Sequence, residues 1–100
     1  MLKLSEEVCV RWALKLRQFG EEQLYQKILL ESLASSSTKP ELDLLDLSEE
    51  FFKVFRRSGE DCFFIIAKLL RRAAHVIYRQ RLKTQQTSVN HKRFLNYVGR

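Results

Sequence analysis

Few side chains in this sequence are suited to acid–base or nucleophilic chemistry. Histidine is the side chain type that titrates near neutral pH, and the chain has two, His75 and His91, both placed among lysines and arginines. A nucleophilic site would also need a serine, cysteine or threonine beside a histidine that a carboxylate orients. No such set is recognisable in the sequence, so we expect a protein that is not an enzyme and has no catalytic residue.

Sequence motifs for nucleotides and metals are missing as well. The chain has no GxxxxGK, GxGxxG, HExxH or paired CxxC motif. Cys9 and Cys62 lie far apart, each with apolar neighbours, which favours reduced thiols in a core over a disulfide or a metal site. Asp43, Asp46 and Glu49 are spaced by three, and without a histidine they predict a solvated acidic face. We therefore expect no metal and no cofactor.

The chemistry that the sequence does support is the binding of an anion by a row of cations. At 100° per residue, the helical stretch 58–83 places one narrow stripe of basic residues on a single face, with a further arginine at its edge. The stripe is Lys68, Arg72, His75, Arg79 and Lys83, the edge residue is Arg71, and these six residues are called the basic ridge below. Evenly spaced cations match a phosphate backbone, which predicts binding that is salt-sensitive and independent of base sequence.

More cations would extend this surface if the end of the chain folds back beside the ridge. The complete predicted nucleic-acid-binding set is Lys68, Arg71, Arg72, His75, Arg79, Arg81, Lys83, Lys92 and Arg93. The alternative is that these residues form a merely solvated basic face, as on many helical proteins.

Charge is distributed unevenly along the chain. All twelve Asp and Glu lie in residues 1–61, together with nine Lys and Arg, whereas residues 62–100 contain nine Lys and Arg and no acid. This asymmetry favours a polyanionic partner or an acidic protein partner. Alternatively, the two halves fold against each other, and the acids of the first half partly neutralise the basic residues of the second.

Helical periodicity dominates the first forty residues. Ser5 before two glutamates is typical of a helix start, and Gly20 is typical of a stop or a kink, after which a second helix reaches Leu33. The run ASSSTKP at residues 34–40 predicts a mobile loop. Pro40 suits a first helical turn, and Thr38 and Glu41 have the spacing of a capping box.

Helix start and stop signals also divide residues 41–100 into segments. Ser48 is a further start signal, so residues 40–57 form either one kinked helix or two short ones. A long helix then runs to Lys83, the polar run TQQTSVN at residues 84–90 predicts a turn, and residues 91–98 predict a short final helix. The sequence therefore predicts one all-α domain over residues 1–100, a bundle of four to five helices with one long central helix.

The long helix is also expected to organise the core. Its side opposite the ridge is apolar, formed by Cys62, Ile66, Leu69, Leu70, Ala73, Val76 and Ile77, and the other helices supply stripes to meet it. Phe63, Phe64 and Ile65 make its first half apolar nearly all round. Trp12 and Tyr25 sit on apolar stripes, which favours a place in the core over a stacking platform for bases.

In size, helix pattern and the basic run at residues 68–83, the chain resembles the helical small subunits of CRISPR effector complexes. The resemblance covers the whole chain. It implies a subunit without an active site that lines a larger ribonucleoprotein, contacts neighbouring subunits and holds nucleic-acid backbone without cutting it. The implied backbone contacts are Lys68, Arg71, Arg72, Arg79 and Lys83, and the acidic residues 41–50 would be a protein-facing surface.

Cellular location and partners are expectations of the same kind. MLKLSEEV has acids where a signal peptide has its apolar stretch, and the longest uncharged run in the long helix is CFFIIA, so we expect an intracellular, cytoplasmic protein. Expected partners are nucleic acid, bound through phosphates, and other protein subunits or further copies of the chain. The alternative is a protein-binding adaptor or small inhibitor that docks on an acidic partner. Its docking elements would be Phe63, Phe64, Ile65 and the loop at residues 34–40, called the serine loop below.

Overall fold

The computed structural model describes the backbone of residues 4–98 and the side chains of residues 4–83. Within that part of the chain, α1 spans Glu6–Leu33, α2 spans Pro40–Ser58 and α3 spans Asp61–Val98, and no strand is present. The predicted all-α class is confirmed. None of these helices combines, over the described residues, the length and apolar character needed to cross a membrane.

The predicted number of four to five helices is wrong, because Gly20 kinks α1 without dividing it into two helices and the expected junction at residues 84–90 lies inside α3. Of the two alternatives for residues 40–57, one helix or two, the structure shows one, α2, within which Ser48 is 2% exposed. Its hydroxyl donates a 2.7 Å hydrogen bond to the carbonyl oxygen of Ala67 on α3, so it is not available as a cap. The expected turn at residues 84–90 belongs to α3, since this polar run contains neither glycine nor proline to interrupt a helix.

The predicted start of α1 and the predicted kink at Gly20 are both confirmed. The Ser5 hydroxyl accepts a 3.2 Å hydrogen bond from the Val8 amide at the first turn of α1. Gly20 interrupts the helical backbone with φ 80° and ψ 171°, a conformation open almost solely to glycine. The two parts of α1 can therefore follow different directions along their neighbour.

Glycine also ends α2, whereas the predicted capping box at its start is wrong. Gly59 adopts a left-handed conformation, φ 71°, and its amide donates to the Phe55 carbonyl at 2.7 Å. At the other end Lys39 occupies the N-cap position and makes no side-chain cap. Glu41, the expected capping partner of Thr38, turns toward α3 and forms an ion pair there.

The long helix α3 is central, as predicted. It packs along both α1 and α2, which barely touch each other. The helix α2 runs antiparallel to α3, because Glu41 meets Arg81 while Phe51, further along α2, meets Phe63 near the start of α3.

All three helices contribute to one hydrophobic core. Phe51 of α2 is fully buried and has ring contacts with Trp12 of α1 at 5.5 Å and with Phe63 of α3 at 6.2 Å between centroids. Tyr25 is 5% exposed, and Trp12 packs against the core from its edge. Removing one such ring from water contributes about 1.5–3 kcal/mol to folding, which makes this aromatic junction a principal support of the bundle.

Candidate nucleic-acid interface

The orientation of the basic ridge follows from the burial of the opposite face of α3. Ile66, Leu70 and Ala73 are fully buried, and Ile77 is 5% exposed. These residues recur at intervals of three and four, so they share one side of the helix and fix its rotation against α1 and α2. The residues on the other side must then face solvent.

All six residues of the basic ridge are exposed. Lys68 and Lys83, at its two ends, are fifteen residues apart, which corresponds to about 22 Å along the helix axis. No aspartate or glutamate occurs on α3 after Asp61. The ridge is thus a solvent-facing row of cations without a carboxylate from its own helix.

Two members of the ridge are held by neighbouring side chains. The Lys68 ammonium lies 5.3 Å from the ring centroid of Phe64. The Arg72 guanidinium stacks over Tyr25 at 4.0 Å and reaches the Glu22 carboxylate at 3.4 Å. Because Arg72 and Glu22 are more than half exposed, their ion pair is weak and leaves the arginine able to meet a second anion.

The remaining ridge members show no such engagement. Among the side chains of residues 4–83, none forms an ion pair with Arg71, His75, Arg79 or Lys83. A phosphate that binds these residues therefore does not have to displace a carboxylate of residues 4–83. The C-terminal half of the ridge can therefore bind an anion without breaking an ion pair with a side chain of residues 4–83.

Arg81, which the sequence placed among the additional nucleic-acid-binding residues beside the ridge, is instead engaged inside the fold. It lies on the α2-facing side of α3 and donates to Glu41 at 2.6 Å and to the Thr38 carbonyl oxygen at 2.9 Å. Its side chain is 34% exposed and that of Glu41 only 7%. The charge of Arg81 is thus used inside the fold, where it neutralises a buried carboxylate.

The Glu41–Arg81 pair also corrects the expectation that residues 41–50 form one protein-facing acidic surface. Glu41 is buried, and its second oxygen, Oε2, has no hydrogen-bond donor among the described residues. Asp43, Asp46 and Glu49 are exposed on α2. The acidic surface is therefore confined to the outer side of α2, and Asp43 there accepts a 2.7 Å hydrogen bond from Ser37 of the serine loop.

The side chains of Lys92 and Arg93 lie outside the described residues. The backbone that carries them continues α3 to Val98 without a turn. The predicted separate final helix is therefore wrong, and the condition under which these cations would extend the ridge, a reversal of the chain after Lys83, is not met.

A feature that sequence reasoning missed is a half-exposed tyrosine at the edge of the ridge. Tyr78 is 50% exposed, and its ring takes part in no ring or cation contact with another described side chain. It stands three residues after His75 and four before Leu82, so all three share one side of α3. This spacing could have placed Tyr78 beside the ridge from sequence alone, but a tyrosine at the edge of an apolar helix face is more often a core residue.

Tyr78 forms part of a cleft between the first half of α2 and α3. The cleft has a volume of about 550 Å³. Leu42 and Leu45 line it from α2, and His75 and Leu82 line it from α3 together with Tyr78. An amphipathic cavity thus opens directly beside the cations of the ridge.

The two cysteines behave as structural residues. Burial raises the pKa of the Cys9 thiol, and burial together with the neighbouring Glu60 charge raises the pKa of the Cys62 thiol. Both thiols are free and stay protonated at neutral pH, the form that is a poor nucleophile and a poor metal ligand. Among the described residues, no group of three or more His, Cys, Asp and Glu is arranged to hold a metal ion.

Comparison of the chain with protein families, with curated protein sequences and with solved structures finds no match. The likeness to the small subunits of CRISPR effector complexes stays an expectation from sequence.

Proposed function

We propose that this protein is a non-catalytic subunit that binds the phosphate backbone of a nucleic acid through the basic ridge. The observation that carries the proposal is the exposure of all six ridge residues on one face of α3, with no carboxylate from the same helix beside them. Lysine and arginine side chains in such a row neutralise successive phosphates and release their counterions. The interaction reads charge and spacing and not base identity.

Fluorescence polarisation of labelled single-stranded and duplex oligonucleotides across a salt series tests this proposal. If about five phosphates of a single strand are engaged, the slope of log K against log salt is about −3.5, which is roughly a hundredfold loss of affinity between 50 and 200 mM salt. Lack of salt-dependent binding at low ionic strength would rule out the proposed function.

Charge reversal at the C-terminal half of the ridge tests which residues bind. Arg79→Glu with Lys83→Glu removes two phosphate contacts, so the slope should become shallower by about 1.5 and the affinity should fall. Arg79 and Lys83 are preferred to Arg72, because Arg72 also packs on Tyr25 and its loss would disturb the contact between α1 and α3.

A matched control removes the same charge elsewhere. Arg11→Glu with Arg17→Glu changes two exposed arginines of α1 and alters the net charge by the same amount. If this control variant weakens binding as strongly as the ridge variant, net charge and not the ridge accounts for the affinity.

The larger assembly in which such a subunit would act is part of the same proposal. The resemblance to CRISPR small subunits suggests a ribonucleoprotein in which neighbouring subunits meet this chain through apolar surfaces. Val10 and Leu14, one turn apart on α1, are 56% and 57% exposed and suit such a contact. Co-purification followed by a ratio of absorbance at 260 and 280 nm tests for the nucleic acid, and a gel identifies the proteins.

A protein-binding adaptor is the second candidate function. The exposed pair Val10 and Leu14 favours it, whereas the expected docking residues at the start of α3 do so less, because Phe63 is buried in the core. An adaptor would purify free of nucleic acid and show no salt-dependent binding of oligonucleotides. The same polarisation experiment therefore separates the two functions.

A further inference from the structure

We infer that the cleft beside the ridge accepts an unpaired base of the bound strand, which stacks on Tyr78, so that the ligand is single-stranded RNA or DNA. The inference rests on the proposed function, since it requires the phosphates to lie along the ridge. It goes further by assigning a base-binding position and by excluding duplex as the preferred ligand.

The first support is the state of the Tyr78 side chain. It is 50% exposed, so about half of its surface is held against the protein while the rest is open. No other described aromatic ring or cation occupies its faces. A partly exposed ring with no described ring or cation on its faces suits the stacking of a base, an interaction available to every base because each has a π-face.

Phe64, the other exposed aromatic residue on this face among residues 61–83 of α3, lacks that property. Its ring already meets Phe52 at 5.8 Å, Phe55 at 5.1 Å and the Lys68 ammonium at 5.3 Å. A base would have to displace these partners in order to stack there. Among the described aromatic residues of this face, Tyr78 is therefore the stacking residue.

The second support is the chemistry of the cleft. Leu42, Leu45 and Leu82 give it apolar walls, and a phosphate placed against these walls would lose part of its hydration. A base, with its flat apolar faces, gains by leaving water there. The volume of about 550 Å³ lies within the usual range of small-ligand sites, about 300–1,000 Å³.

The third support is the local charge. Glu41 is the one carboxylate among the residues that line the cleft, and Arg81 pairs with it at 2.6 Å. A lone carboxylate would repel the strand, whereas the paired one leaves the cleft close to neutral. Lys39 at its edge and His75 within it connect the cleft with the cations of the ridge.

The fourth support is the position of Tyr78 beside the ridge. Tyr78 is adjacent to Arg79 in sequence and five residues before Lys83, about 7.5 Å along the helix axis. His75 belongs to the ridge and also lines the cleft, so it is the point at which a strand bound along the ridge comes nearest to the cleft. In a duplex the bases are paired and stacked inside, and extruding one carries a free-energy cost that an unpaired strand does not meet.

Fluorescence polarisation with labelled strands of equal length tests the inference. The ligands are single-stranded RNA, single-stranded DNA, the DNA duplex, and a DNA strand of abasic sites with the same number of phosphates. We expect the abasic strand to bind about tenfold more weakly than the normal strand, with an unchanged salt slope, because it loses the stacked base and keeps the phosphates. The duplex should bind more weakly than the single strand. Tight binding of either RNA or DNA supports the inference, and the tighter of the two identifies the sugar.

Variants of Tyr78 give the second arm. Tyr78→Leu keeps an apolar side chain in the cleft but removes the ring, and should lower the affinity for the normal strand to that for the abasic strand. Tyr78→Phe should retain the affinity. Circular dichroism and thermal unfolding verify that each variant is folded.

The outcomes distinguish the two proposals. Equal binding of the abasic and normal strands, stronger binding of duplex, or an unchanged affinity of the Tyr78→Leu variant would each overturn the base-binding cleft while leaving the ridge in place. A lack of salt-dependent binding to all four ligands would overturn the proposed function itself.

Discussion

On opposite faces of α3, two arginines two residues apart have different surroundings. Arg79, on the ridge, is exposed and forms no ion pair with a described side chain. Arg81, on the face toward α2, donates hydrogen bonds to the buried carboxylate of Glu41 and to the Thr38 carbonyl oxygen in the loop before α2. The same side chain thus stabilises the fold in one position and is available to a ligand in the other. The type of a residue therefore does not show whether it binds a ligand unless the helix face that carries the residue is also known.

Phe63 and Phe64 extend the comparison to apolar residues. Phe63 is 7% exposed and stacks with Phe51, whereas Phe64 is 38% exposed at the rim. Phe63→Ala should lower the free energy of unfolding by about 3–5 kcal/mol, because it empties a core position. Phe64→Ala should cost less, about 1–2 kcal/mol, through its lost ring contacts with Phe52 and Phe55. Urea denaturation measures both, and equal losses would contradict the assignment of faces.

The arginine pair gives the next largest effect. Arg81→Ala leaves the Glu41 carboxylate buried without a donor and should lower the free energy of unfolding by about 1–3 kcal/mol. Arg79→Ala, the matched control, should change it by less than about 0.5 kcal/mol. Thermal or urea unfolding provides the measurement.

A double substitution sharpens this prediction. Replacing both Glu41 and Arg81 with leucine removes the buried charge along with its partner, so it should restore most of the lost stability. A double variant that is less stable than Arg81→Ala would mean that the pair contributes more than mutual neutralisation.

Ser48 tests a weaker polar contact on the buried face. Ser48→Ala removes the 2.7 Å hydrogen bond to the Ala67 carbonyl and should cost about 1 kcal/mol. Glu49→Ala, one residue further along α2 and exposed, is the control and should be close to neutral. A neutral Ser48→Ala variant would show that the helix hydrogen bonds of Ala67 suffice without the serine.

The smallest expected effect on stability belongs to the ridge. Arg79→Glu with Lys83→Glu should shift the free energy of unfolding by no more than about 0.5 kcal/mol while it weakens binding of nucleic acid. A large loss of stability would mean that these cations are structural and that the two faces of α3 differ less than their contacts indicate.

Much of the fold could be predicted because its signals are local. The apolar repeat of Ile66, Leu70, Ala73 and Ile77 predicted which face of α3 is buried. Ser5 predicted the start of α1, and Gly20 predicted its kink. The number of helices was predicted wrongly for two reasons. Gly20 kinks α1 without dividing it, and the run at residues 84–90 resembles a boundary in composition but contains no residue that prevents helical backbone.

The candidate site was predicted only in part. The six ridge residues follow from spacing along one helix, and the sequence alone places them on one exposed stripe. Arg81 was assigned to the wrong surface, since its partner Glu41 is forty residues distant in the chain and no local pattern indicates the pairing. Tyr78 was missed for a similar reason: whether a residue at the edge of an apolar face is covered depends on where the neighbouring helix ends.

By itself, the sequence determined the helical class, the central position of α3 and the direction in which its basic face points, because helical periodicity acts over a few residues. The tertiary structure alone decided which cations remain available, which carboxylate is buried and where a cleft opens beside the ridge. These features arise from contacts between residues of α2 and α3 that are far apart in sequence, and such contacts form only when the two helices pack together.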